Sequence, residues 1–120
     1  MDKAAAKLKM FFNAFAPAYQ PGTVPDDAPP LHITYKASFP EWGQKGSLYA
    51  QVWDRSTTDE AIIRTADQIT AAVGERKKIS YPGGYLVIWP ESPQVQLEKD
   101  GDYRFAYLNF SINVYNLPGV

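Results

Sequence analysis

The stretch LHITYKASF, residues 31–39, decides the fold: Leu31, Ile33, Tyr35, Ala37 and Phe39 alternate with His32, Thr34, Lys36 and Ser38. A period of two belongs to a strand with one face on a core and the other toward water. Pro40, Gly43 and Gly46 then make a short connection, which predicts an antiparallel partner. SLYAQVWDR, residues 47–55, supplies it, with Leu48, Ala50 and Val52 facing the core and Tyr49, Gln51 and Trp53 opposite.

On the N-terminal side, residues 17–30 hold Pro17, Pro21, Pro25, Pro29 and Pro30 with Gly22, too much proline for regular structure, so an extended loop is predicted. Before it, Leu8, Phe11, Phe12 and Phe15 fall at i, i+3, i+4 and i+7. That spacing predicts one buried stripe of a helix over residues 1–16, capped by Asp2 and ended by Pro17. Lys3, Lys7 and Lys9 precede this apolar run in the manner of a secretory signal, but Asn13 breaks the run and the helical spacing favours a packed face. No stretch approaches the ~20 apolar residues of a membrane span.

On the C-terminal side, Thr57 and Glu60 have capping-box spacing and open a predicted helix over 57–74. Ile62, Ala66, Ile69 and Val73 form its inward stripe, and Gly74 stops it. Residues 78–89 read as a hairpin around Pro82, Gly83 and Gly84, with a loop longer than two residues. Residues 90–102 read as a polar, turn-rich connection. A strand of about twelve residues, 104–115, closes the chain, with Ala106, Leu108, Phe110, Ile112 and Val114 on one face and Phe105, Tyr107, Asn109, Ser111, Asn113 and Tyr115 on the other.

With 120 residues, one domain is expected. The order of elements predicts an α+β fold, a mainly antiparallel β-sheet of four to five strands with two helices packed on one face. The other face carries Tyr49, Trp53, Phe105, Tyr107 and Tyr115 mixed with Gln51, Asn109 and Asn113, a composition enriched at protein interfaces.

Chemistry finds little purchase. A formal net charge of -1 provides no global positive field for phosphates. Absent cysteine removes thiolate nucleophiles, thiolate metal sites and disulfides. His32 is the lone histidine and reads as a plain surface residue without a serine motif. One histidine and scattered carboxylates make no metal site, and no cofactor is expected. Asp26 and Asp27 sit in the proline-rich loop, while Asp59 and Glu60 suit a helix's first turn. Gly83 and Gly84 lack the Lys-Ser/Thr of a phosphate loop. Arg76, Lys77 and Lys78 read as a solvated helix end. The aromatics are the informative feature: there are eight tyrosines and three tryptophans, and Trp42, Trp53, Trp89 and Tyr115 each read equally as core or interface. The candidate interface is Trp42, Tyr49, Trp53, Phe105, Tyr107, Asn109 and Tyr115.

Taken in order, the N-terminal aromatic helix, VPDDAPPLHITY (residues 24–35), VWDRST (52–57) with its helix, GGYLVIWPESPQVQ (83–96) and YRFAYLNFSINVY (103–115) resemble the tail-terminator, or tail-completion, proteins of long-tailed bacteriophages. The likeness covers nearly the whole chain and rests on order and spacing. It implies a non-enzymatic virion subunit in a ring, commonly hexameric, that caps the head-proximal end of the tail tube and stops its polymerisation. Its implied partners are further copies of itself, the tail tube protein and the head connector, with genomic DNA passing through without sequence-specific binding. The chain departs from the family pattern after Gln96, where LEKDGDYRFAY is acidic and Arg104 is the one arginine before the last strand. The rival expectations are another head-tail joining or tail-tube subunit, separated by its stoichiometry, and a small non-viral binding module, separated by a discrete monomer or dimer.

Overall fold

A computed structural model of the chain describes residues 2–39 and 45–116. Helix α1 (Asp2–Asn13) leads into strands β1 (Ala18–Tyr19), β2 (His32–Ser38) and β3 (Gly46–Asp54), then helix α2 (Glu60–Val73), then strands β4 (Lys77–Tyr81), β5 (Gly84–Asp100) and β6 (Tyr103–Asn116). The strands form one curled sheet in the order β1-β2-β3-β6-β5-β4. β1 runs parallel to β2, and the other neighbours are antiparallel.

This corrects the expected α+β sheet of four to five mainly antiparallel strands: the sheet has six strands, is mixed, and dominates the chain at 50% strand against 23% helix. Two causes account for the difference. β1 lies inside the proline-rich segment and is too short to show alternation; what holds it is pairing of Ala18 with Ile33 and Tyr19 with Thr34, supported by Ile33 N–H donating to the Pro17 carbonyl at 2.8 Å. The expected polar connection over 90–102 is instead the second half of β5. The ladder with β6 is interrupted between Pro90 and Val95, resumes at Val95 opposite Leu108, and continues to Asp100 opposite Tyr103.

Local readings were corrected too. α2 starts at Glu60 after Asp59, which makes no side-chain capping bond, so no Thr57–Glu60 box forms. Glu60 accepts from Arg64 one turn on, at 3.2 Å, and the Asp59 carboxylate receives Arg104 Nη1 at 3.1 Å. Arg104 Nε also donates to the Ser56 carbonyl at 3.1 Å, so the basic residue of the last strand ties down the approach to α2. At its other end α2 stops as expected, with Gly74 at φ +59° and its N–H donating to Thr70 O at 2.9 Å. The β4–β5 hairpin closes with two residues, Pro82 and Gly83, because Tyr81 already pairs with Gly84. Proline at the first position and Gly83 at φ +100° match the Pro-Gly pattern of a type II turn. Lys77 and Lys78 open β4 and Arg76 immediately precedes it, so the cluster is not a helix end.

Both helices cover the same sheet face and share one core. Register dictates this: Ile33 faces Val52, which faces Ala106, and Tyr35, Ala50 and Leu108 form the next row. α2 adds Ile62, Ala66, Ile69 and Val73, all at most 2% exposed. α1 buries Ala4, Leu8 and Phe12, with Phe11 and Phe15 half-buried against the cluster, so its inward stripe runs at i, i+4, i+8. Asn13 ends the helix, and its Oδ1 accepts from Ala18 N–H at 2.8 Å, turning the chain into β1. The expected cap at Asp2 concerns a side chain outside those described.

Candidate functional site: the aromatic outer face of the sheet

Pleating sends every second residue of β2, β3 and β6 to the face away from the helices. Register then aligns His32, Trp53 and Phe105 in one cross-strand row and Thr34, Gln51 and Tyr107 in the next. Trp53 and Phe105 lie with ring centroids 4.5 Å apart. His32 stacks on Trp53 at 6.3 Å, and Tyr103 meets both edge-on, at 6.1 and 6.0 Å. Tyr19, from β1, adds an edge contact to His32. Edge-to-face and offset pairs of this kind add to stability beyond the area they bury.

The indole N–H of Trp53 and the Nδ1 of His32 both have partners. Trp53 Nε1–H donates to Thr34 Oγ1 at 2.9 Å, and that hydroxyl donates onward to Gln51 Oε1 at 3.3 Å. His32 Nδ1 lies 2.9 Å from the Pro29 carbonyl and 3.1 Å from that of Pro30. Carbonyls only accept, so Nδ1 carries a proton and donates to them. The expectation of a surface histidine is therefore corrected: His32 is buried, because the proline-rich loop folds back and supplies those carbonyls. Its partners are two carbonyls and three rings, which gives it a packing role. An open apolar cleft of about 280 Å³ remains between Val24 of the loop and His32, Thr34, Trp53 and Tyr103.

A second group lies along the same face. Tyr49 and Tyr107 stack with centroids 5.3 Å apart. Asn109 Nδ2 donates to the Pro93 carbonyl at 2.7 Å, and Gln94 Nε2 donates to the Asn109 carbonyl at 2.9 Å, which pins the irregular segment of β5 over β6. Tyr49, Glu91, Pro93, Tyr107 and Ser111 line part of a cleft of about 480 Å³ there. Burial, and then the neighbouring Tyr49 phenol, push the Tyr107 hydroxyl above its ordinary 10.0. Burial likewise raises Tyr35, partly offset by a hydrogen bond with Gln20, and raises Tyr81. A raised folded-state value means stability fully present below the unfolded value and lost as pH rises through the folded one. Thermal stability is accordingly expected to hold as pH approaches 10 and fall above it. Tyr107→Phe should flatten part of that fall, and an unchanged alkaline limb in the variant would contradict the assignment.

Of the seven residues expected at an interface, Tyr49, Trp53, Phe105, Tyr107 and Asn109 lie half-buried on this face, and Tyr115 is 41% exposed. Trp42 lies outside the described residues. Tyr115 stands apart from the others, stacked on Tyr85 at 4.8 Å, with Lys78 Nζ 4.3 Å above the Tyr85 ring. The sequence reading missed His32, Tyr103, Tyr19 and Tyr85 as members of these clusters. The signal that finds the first is the direct pairing of His32 with Trp53 once β2 and β3 are registered.

Among the described residues no group of three or more His, Cys, Asp or Glu side chains could hold a metal ion, and no helix is long and apolar enough to cross a membrane. Compared with known proteins, the chain matches no family model and no curated sequence.

Proposed function

We propose that this chain is a structural virion subunit without catalytic activity. It forms a ring that caps the tail tube of a long-tailed bacteriophage, ends its polymerisation and docks it to the head connector. The observation that carries this reading is the outer sheet face, where half-buried aromatic rings alternate with hydrogen-bonded polar side chains. Such a surface suits protein contact over bond-making chemistry. The likeness of motif order to tail-terminator proteins supplies the particular assembly. A ring closes when two different patches of one subunit meet around an axis. The slightly acidic balance suits DNA that must pass without adhering, since a basic lumen would hold phosphates. The protein then works in the virion at the head-proximal end of the tail.

Electron microscopy of the purified protein tests this directly. Closed rings that bind the ends of tail tubes are the expected result. A protein that stays monomeric at high concentration, or that polymerises without limit, rejects it.

A further inference from the structure

Two stretches of strand edge have no neighbouring strand among the described residues, and they lie on opposite sides of the sheet. β4 covers β5 only from Gly84 to Ile88, so residues 95–100 pair with β6 alone. β1 covers β2 only at Ile33 and Thr34, so residues 35–38 pair with β3 alone. Every residue of the β5 stretch is exposed, including Val95 at 42% and Leu97 at 47%. An open row of backbone donors and acceptors flanked by exposed apolar side chains is a template for another strand.

Resting on the ring reading above, we infer that the 95–100 edge of one subunit adds to the 35–38 edge of the next, joining successive sheets into one. Strand direction permits it. β3 and β5 both run antiparallel to β6, and β2 runs antiparallel to β3, so β5 and β2 point in opposite senses within one sheet. Setting the neighbour's β2 beside β5 with the sheet faces matched therefore gives an antiparallel pair. The two edges are different patches, so the contact is head-to-tail and propagates until it closes.

Register follows from parity and charge. Leu97 lies opposite Ala106, on the helix side, and Glu98 lies opposite Phe105, on the outer side. In β2, Tyr35 and Ala37 face the helices while Lys36 faces out. A slip of one residue would set Leu97 against Lys36, so only every second register keeps like faces together. Among these, Glu98 opposite the neighbour's Lys36 pairs exposed opposite charges across the joint and brings Leu97 beside Ala37. The ladder is short, so a single joint is weak and ring closure makes assembly cooperative.

The chain contains no cysteine, so an engineered pair reports the joint without background. Facing strand residues stand within disulfide reach. Glu98→Cys combined with Lys36→Cys, oxidised under assembly conditions, should give a covalent ladder of trimers and larger species, whereas either single variant stops at a dimer. Gln96→Cys combined with Lys36→Cys, one register away, should give several-fold less. Closed rings in micrographs of the same sample, with cross-linking no higher than in the single variants, overturn the joint and leave the ring reading standing. A sample that is monomeric by both measures overturns the two together. A ladder that appears only when another protein is added overturns the second copy as occupant.

Discussion

Phe12→Ala is expected to lower the unfolding free energy by about 3–5 kcal/mol, the range for removing a buried aromatic ring. Phe12 is fully buried and stacks on Tyr35 with centroids 4.9 Å apart, so it is the point at which α1 grips the sheet. Because a domain of this size has only about 5–15 kcal/mol in total, the loss should move the urea midpoint far to the left. The comparison that gives the result meaning is Phe11→Ala, one position earlier. Phe11 is half-buried and touches Phe12 and Phe15 edge-on, at 5.2 and 5.4 Å, so its removal opens a site that water can fill and should cost about 1–2 kcal/mol. Equal losses for the two, measured by urea denaturation under far-UV circular dichroism, would mean that α1 does not use the face described.

The contrast between Phe11 and Phe12 also marks how much of the fold could be read from the chain. A stripe through Leu8, Phe11, Phe12 and Phe15 pointed to a helix, but the residues it buries are Ala4, Leu8 and Phe12, while Phe11 is half-buried and Phe15 lies past the helix end at Asn13. β2 and β3 were legible to within a residue: one face is dry and the other is wet or aromatic, which is the condition under which alternation survives in sequence. β5 was legible only in its first half. From Val95 onward its residues are exposed on both sides, and with no dry face there is no period, so this half of the strand reads as a loop. β1 fails for a related reason, since two residues paired in parallel carry no pattern of their own. The site was half legible. Trp53, Phe105, Tyr49 and Tyr107 fell on the outer face because strand parity put them there. His32 was misjudged because its burial comes from the carbonyls of Pro29 and Pro30, contributed by a loop whose path no periodicity reveals.

That misjudgement bears on what the outer face is for, and Trp53→Ala measures it. Aromatic rings waiting solely for a partner would contribute little to the isolated subunit. Trp53, however, already packs on Phe105, His32 and Tyr103 and donates to Thr34, so its removal should cost about 2 kcal/mol, below the fully buried range because the site is half open. Trp53→Phe keeps a ring and loses only the donor, and Thr34 retains Gln51 as a partner, so about 1 kcal/mol is expected. Tyr115→Ala, at an exposed end of β6, should cost less than about 0.5 kcal/mol. This ordering makes the central aromatics part of the fold itself, and it shifts any role in subunit contact onto their exposed edges and onto the open strand edges beside them. Three equal and negligible losses in urea titrations would reverse that division, leaving the whole aromatic face as surface held in reserve for a partner.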